Sequence, residues 1–562
     1  MRMFAFYLMK LFQSTISTFI RNIRKPPDYI TFLFEGEHPH IVHPRSKIPV
    51  HLFRPHKMSI CEFSSACSLI KKDPSIKGII IYLRALQLPF GSLDAIRDCI
   101  LDLRKYGKKV VSWSTDYDQP RYYIACACDL IMLIPGGLIY PLGFQRRYLF
   151  LADALQKIGI DAQYVPISPY KSAGDMMMRT SFSKESKAMH QWLFDSSYKH
   201  YVSKIMEGRK ISAEKIEGLI DNTPCHDLQA KEHGFIDEIL NMVDIPHYLS
   251  KDSDPVKTNN WSMSRPFVRK DIPDFHEKYI ALMSIEGAII EGRNRQPLFN
   301  RFTLPFPFGL SRCAGDISVT ATVKKIESDK NVAALLLYIN SGGGSAAASE
   351  VMRSDLEKLA RKIPVHVVMG PMAASGGYWI ASAAHKIFAY PNTLTGSIGV
   401  LSGKFILKGF LKKLYLHREV IKQGKNALMF STDTHFSEEQ VAMIKNYIQR
   451  VYDLFLDRVS KCRSIDKKTV DSIAQGKVWT GLQALENRLI DGVGGFRQAI
   501  EEIKKSAGLK DSTPIQIVQP PRKNLLAAAA AADSMLGRYI NILIKGEQSM
   551  NALCLCPFVE DY

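Results

Sequence analysis

Two distant stretches of this chain follow one pattern, and that duplication limits the folds open to it. Residues 73–83 read DPSIKGIIIYL and residues 329–339 read DKNVAALLLYI, each an Asp-led turn followed by an unbroken apolar run. Such runs suit strands buried on both faces of a parallel sheet. Each run leads to a Gly-Ser turn (Gly91-Ser92 and Gly344-Ser345), a helical stretch, and a short strand (VVSW at 110–113, VHVVMG at 365–370). A second helix then starts near Tyr122 and near Tyr378, and upstream YITFLFEG at 29–36 matches YIALMSIEG at 279–287. Strand–turn–helix units in series predict an α/β fold of repeated ββα units, with right-handed crossovers and helices outside. The spacing predicts an N-terminal repeat over 27–250, a polar, proline-marked linker over 251–278, and a C-terminal repeat over 279–508. A tail over 509–562 follows, helical through the alanine-led stretch 525–545. With 562 residues, 46% of them hydrophobic, the chain has apolar material for more than one core.

The halves differ where chemistry can sit. The second half has NSGGGS at 340–345 where the first has RALQLPFGS. Three glycines after a buried strand leave backbone N–H groups unshielded and free to adopt positive φ. That suits an oxyanion hole, a phosphate cradle, or a plain tight turn. In MAASGGYWIASAA (372–384), Ser375 precedes two glycines and a helical run. A serine there is ordinarily a helix cap. With Tyr378 set opposite Tyr122, however, Ser375 falls opposite Gln119 in DYDQPRYYIA, a contrast that capping does not require. A serine aimed into a cleft beside the Gly376 N–H is a nucleophile placement. Its base is not an obvious histidine: His385 should lie two to three turns along the same helix, and His366 on the preceding strand. A lysine serves instead if burial keeps it neutral.

The net charge of +19 suits an anionic surface, nucleic acid or acidic lipid. No zinc-finger spacing or RNP-like motif supports nucleic acid, so no nucleic-acid partner is expected. Ten cysteines without CxxC pairs suggest buried thiols rather than a metal site, and no metal or cofactor is expected. The opening MRMFAFYLMKLFQSTISTFIRNIRKPP falls short of a spanning helix. On a helix, Phe4, Leu8, Leu11, Phe12 and Phe19 share one face, and Lys10, Ser14, Ser17, Arg21 and Arg24 another. That predicts an amphipathic, membrane-associated segment over 1–26, ended by Pro26-Pro27.

Taken together, NSGGGSAAASE, GPMAASGGYWIASAA, NTLTGSIGV and IAQGKVWTGLQALENRLIDGVGGF resemble signal peptide peptidase A, the protease IV family, in its long duplicated form. DQPRYYIACACDLIMLIPGG, YKSAGDMMMRTSFSKESKAM and the closing CLCPF extend the resemblance over nearly the whole chain. The resemblance implies tandem ClpP/crotonase-like domains and a homotetramer at the bacterial inner (cytoplasmic) membrane, catalytic part on the periplasmic side. It implies a serine endopeptidase acting on cleaved signal peptides and other unfolded apolar peptides. It also implies Ser375 as nucleophile, Lys171 of the first half as base, Gly343 and Gly376 as oxyanion donors, and Ser397 as the residue orienting the lysine.

The glycine loop reads SGGGS where a proline often holds the second position. Lys425 is the alternative base: it follows Ser375 by 50 residues, as Lys171 follows Gln119 by 52, and short members of the family take both residues from one domain. A surface lysine is the plainer reading of it. KVWTG at 477–481, Asp491, Asp129 and Tyr123 read as structural. Two other functions compete: a crotonase-like acyl-CoA enzyme, for which no Glu pair stands near either glycine loop, and a catalytically inactive membrane scaffold.

Overall fold

The computed structural model describes residues 11, 12, 14, 15, 25–41, 57–250, 254–269, 278–295, 312–520 and 553–555. The amphipathic segment expected over 1–26 lies almost wholly, and the helix expected over 525–545 wholly, outside the described residues. Among the described residues no helix is long and apolar enough to cross a membrane.

In the first half, strands β1 (Tyr29–Gly36), β2 (Gly78–Leu86), β3 (Lys109–Tyr117) and β4 (Leu130–Ile139) form a parallel array in the order β4-β3-β2-β1. The apolar run in β2 is continuous because both faces are covered. Ile79 and Ile81 pack with Leu93, Ile96, Ile100 and Leu103 of helix α1 (Phe90–Lys105). Ile80 faces the other way, toward Val111, Trp113 and Ile245. Helix α2 (Gln119–Ala125) follows β3. The chain then leaves this sheet through α3 (Ala152–Ile158), β5 (Asp161–Pro166) and the long α4 (Lys184–Arg209).

The second half repeats the plan with β6 (Tyr279–Glu286), β7 (Val332–Ser341), β8 (Gly343–Ser345), α5 (Ala346–Ala360) and β9 (Val365–Ala374). After β9 come α6 (Gly376–Ala381), β10 (Leu394–Gly396), β11 (Leu401–Ile406), α7 (Lys408–Lys413) and α8 (Glu438–Arg463). Strands β6, β7 and β9 are parallel neighbours. Helix α8 covers them with Ile444, Ile448, Phe455 and Val459, spaced to share one face. One expectation is corrected: α6 does not run on to His385. It stops at Ala381, because the His385 N–H donates to Val365 O (2.9 Å) and Lys386–Ala389 joins β9 as a strand.

A third sheet joins the halves. Its order is Cys313–Gly315, Ala288–Ile290, β8, β12 (Leu553–Leu555), β11 and β5. Strand β5 of the first half runs antiparallel to β11 of the second, from Leu401 opposite Pro166 to Ile406 opposite Asp161. Other contacts also join the two halves. Trp192 stacks on Trp479 with centroids 5.1 Å apart, and its Nε1 donates to Val478 O at 3.0 Å. On the other side, buried Asp94 of α1 accepts from the Asn392 N–H (3.2 Å) and Nδ2 (3.0 Å), and from Tyr123 Oη (2.6 Å). Burial works against ionisation of Asp94. Hydrogen bonds from His200, Tyr123 and Asn392 outweigh it and hold the carboxyl below its ordinary range.

Asp94→Ala leaves buried donors of both halves without an acceptor and should cost about 3 kcal/mol of stability at pH 7. Because the folded-state carboxyl titrates lower than the unfolded one, the wild-type advantage is full above about pH 4 and shrinks as the pH falls further. Urea unfolding of both proteins at pH 7 and at pH 3.5 checks this. Equal stability at pH 7 would remove Asp94 from the joint.

Candidate active site

Ser375 stands where β9 turns into α6. Its backbone has φ 55° and ψ −114°, a conformation that L-residues adopt only under strain. The surroundings hold it there: its N–H donates to Gly396 O (2.8 Å) and its carbonyl accepts from the Trp379 N–H (2.8 Å). The glycines that follow allow the close approach. A Cβ on Gly376 would lie 2.6 Å from Ser349 Oγ and 3.2 Å from Gly343 Cα, and one on Gly377 2.8 Å from Ser341 O. The turn Ser341–Ser345 therefore lies directly against the start of α6.

That turn is built on positive φ at Gly343 (103°) and Gly344 (156°), and a Cβ on Gly344 would meet Ile289 O at 2.0 Å. The Gly376 N–H is the first amide of α6 and has no acceptor within its own helix. The Gly343 N–H donates to Ser341 Oγ at 3.1 Å, and Ser341 Oγ in turn donates to Gly287 O at 2.6 Å. Gly343 thus stands beside Ser375 with its N–H already engaged.

Lys171 follows β5, and the β5–β11 pairing carries it across to the second half. Its Nζ lies 2.7 Å from Ser375 Oγ, 2.9 Å from Ser397 O and 3.0 Å from Ser397 Oγ. Lys171 is 1% exposed, and Ser375 and Ser397 are fully buried. Ser397 is itself held at φ 48° by a 2.7 Å bond from its N–H to Lys477 O. The side chain of Lys171 threads a gap that exists because two residues are glycine. A Cβ on Gly476 would sit 2.7 Å from Lys171 Cα, and one on Gly399 3.3 Å from its Cδ. Reasoning from residue types passed over Gly476 and Gly399. The Gln-Gly pair inside IAQGKVWTG was the signal available, since Gly476 has φ 82°.

The structure brings Ser375, Lys171, Ser397, Gly376 and Gly343 together and leaves Lys425 elsewhere. Lys425 is 73% exposed at its side chain and pairs with Glu439 at 2.6 Å. His366 packs on Phe388, and His385 Nδ1 accepts from the Val365 N–H. Asp491 and Asp129 act as structural acceptors, for the N–H groups of Ile387 and Val110. Next to the serine runs a slot one strand wide, bounded by β8 and β11. Strand β12 lies in it, antiparallel to both, with Leu555 opposite Gly343 and Leu553 opposite Ser345 and Leu401.

A family model described as peptidase family S49 matches residues 102–254 and 357–510, one span in each half. The chain is 31% identical over 490 residues to Protease 4 of Haemophilus influenzae, covering 82% of this chain and 75% of that protein. It is 29% identical over 468 residues to the chloroplastic serine protease SPPA of Arabidopsis thaliana, covering 80% of this chain and 66% of that protein. It is 28% identical over 464 residues to Protease 4 of Salmonella typhi, with 80% and 72% covered.

The strain at Ser375 has a measurable consequence. Glycine normally destabilises a chain relative to alanine, but at this φ the order should reverse. Ser375→Gly should be about 1 kcal/mol more stable than Ser375→Ala in denaturant unfolding. An alanine variant as stable as the glycine variant would mean that no strain is stored there.

Proposed function

The chain belongs to peptidase family S49 and is a serine protease, and we propose that it cleaves extended apolar peptides with Ser375 as nucleophile and Lys171 as general base. Membership in the family sets aside the acyl-CoA and scaffold readings. The observation that carries the proposal is the 2.7 Å contact between Lys171 Nζ and Ser375 Oγ, made between the two halves in a buried setting.

A neutral lysine amine has two N–H donors and one lone pair. Ser397 O and Oγ can take the donors, which leaves the lone pair facing the Ser375 hydroxyl. Burial disfavours the charged form of an amine, as a base that works neutral requires. Ser375 Oγ adds to the peptide carbonyl carbon while Lys171 takes its proton. The negative oxygen forms beside the Gly376 N–H. Gly343 joins as second donor by exchanging its bond to Ser341 Oγ for one to that oxygen. Lys171 then gives its proton to the leaving amine, and an acyl-serine results. Water, deprotonated by the same amine, adds to the acyl carbon, and as the acyl–oxygen bond breaks the amine returns that proton to Ser375 Oγ. Ser397 acts as a positioning residue throughout.

The slot between β8 and β11 supports an extended peptide as substrate. A strand in it exchanges backbone hydrogen bonds with Gly343–Ser345, as β12 does. A folded domain cannot present its backbone in this way, so released signal peptides and other unfolded apolar segments fit the site. The charge of +19 and the amphipathic pattern of residues 1–26 favour work at an anionic membrane surface. The steps use only this chain's own residues and water.

Two experiments follow. With a quenched apolar peptide, Ser375→Ala and Lys171→Met should each lower kcat by about 10⁴-fold, and Lys425→Met should leave it unchanged. Full activity in Lys171→Met with loss in Lys425→Met would move the base. Separately, truncation after residue 552 removes the strand that competes for the slot, so KM for the peptide should fall. A rise in KM would assign β12 to substrate binding instead.

A further inference from the structure

The first half packs two helices side by side on one face of its sheet, and the peptidase chemistry uses neither. Helix Ile60–Ile70 starts at Ser59, whose hydroxyl accepts from the Glu62 N–H while the Glu62 carboxylate accepts from the Ser59 N–H. It buries Ile60, Phe63, Ala66, Cys67 and Ile70, spaced to share one face. Its neighbour α1 buries Leu93, Ile96, Ile100 and Leu103, with Cys99 half-buried at the edge of that stripe. These side chains pack into one core.

The two helices meet in a definite register. Lys71 Nζ pairs with Asp102 Oδ2 at 2.9 Å, and both side chains are mostly buried. One turn back along each helix, the thiols of Cys67 and Cys99 share a hydrogen bond. Residues one turn apart lie on the same helix face, so the ion pair and the thiol pair are successive rungs of one seam. The second half links its own seam with different chemistry. There Asp355 stands opposite Cys99, at the spacing that sets Ser375 opposite Gln119, and its Oδ2 accepts from the Thr320 hydroxyl. A third thiol, Cys61, faces elsewhere. Six residues before Cys67, it points about 120° away around the helix. It packs with Ile280, Leu282 and Tyr338 of the second half.

We infer that Cys67 and Cys99 form a disulfide by exchange with a small or protein disulfide. Burial, and after it the hydrogen bond to Cys99, pushes the Cys67 thiol well above its ordinary range. Exchange therefore starts at the more open Cys99. Cys99 gives up its proton and attacks one sulfur of the external disulfide, which releases one thiol and leaves a mixed disulfide. Cys67 then gives up its proton, attacks the Cys99 sulfur and releases the second thiol. The two cysteines lose two electrons, the external disulfide gains them, and both protons leave on the released thiols. The new bond closes a loop over residues 68–98, which holds all of β2 and the part of α1 that carries Asp94. Helix α1 bears directly on the second half. Beyond the Asp94–Asn392 bonds, Asp98 Oδ2 accepts from Gln498 Nε2 at 3.3 Å, and a Cβ on Gly91 would lie 3.2 Å from Pro371 Cα of β9. The disulfide thus clamps together two helices that both touch the joint, and it stabilises the chain in an oxidising compartment without contact to Ser375.

Peptide mapping and thermal unfolding of the full chain test this. The folded protein is incubated with oxidised glutathione, alkylated, digested and read by mass spectrometry. A peptide linked through Cys67 and Cys99 should appear, and Tm should rise by about 5 °C over the reduced protein. Cys67→Ala and Cys99→Ser should each lose both the linked peptide and the rise. Cys99→Ser changes a half-buried position, so an unchanged circular dichroism spectrum separates a lost crosslink from lost folding. Oxidised wild type without the linked peptide, with glutathione left on Cys99, or with Cys99 joined to Cys61 would overturn the inference. So would a crosslink that leaves Tm unmoved, or a rise in Tm that survives in Cys99→Ser.

Discussion

Six residues of the first half, Asp161–Pro166, lie antiparallel to Leu401–Ile406 of the second, and the proposed chemistry rests on that pairing. Lys171 follows β5 by a few residues, so the register of this ladder decides where its amine arrives. A one-residue slip would turn the alternate side chains to the opposite face and carry the lysine away from the serine. The Trp192–Trp479 stack and the Asp94 cluster keep the two halves from rotating about the joint. This gives the duplication a physical purpose. One copy of the unit holds the proposed nucleophile in a rigid elbow, and the other delivers the proposed base from outside that elbow. Neither half contains the whole site.

The serine is held by packing that leaves no room for side chains at Gly376, Gly377 and Gly344, and the lysine by a gap kept open at Gly476 and Gly399. Ser375 and Ser397 both sit at positive φ, each fixed by a backbone bond from its N–H, to Gly396 O and Lys477 O respectively. Two strained serines around one buried amine form a constellation that the fold must sustain from elsewhere, through the buried runs of β2 and β7 and the helices on them. The arrangement is therefore selected for position at some expense of stability.

Much of this was legible in the residues. The doubled apolar runs and the Gly-Ser turns announced a tandem α/β chain, and the contrast between Ser375 and Gln119 pointed to the second half for the candidate site. Lys171 was reached only by resemblance, because nothing near position 171 shows that it faces position 375. That information lies in a strand pairing between segments more than 200 residues apart, which local periodicity does not encode. The end of α6 was overrun for a related reason: YWIASAA has helical character, but the strand beside β9 claims the N–H of His385. Gly476 was hidden inside a motif that read as core. Strand β12 was invisible as a strand, since CLC gains its conformation only from β8 and β11 on either side.

The central claim is that the amine of Lys171, brought from the first half, removes the proton of Ser375. Lys171→Cys can be alkylated with 2-bromoethylamine, which rebuilds a side chain of nearly lysine length with a sulfur in it and a more acidic amine. Peptidase activity should be absent in Lys171→Cys and return on alkylation. The rising limb of kcat/KM against pH should then move to lower pH than in wild type, because the base becomes neutral sooner. No recovery, or recovery with an unmoved pH profile, would show that a different group takes the proton.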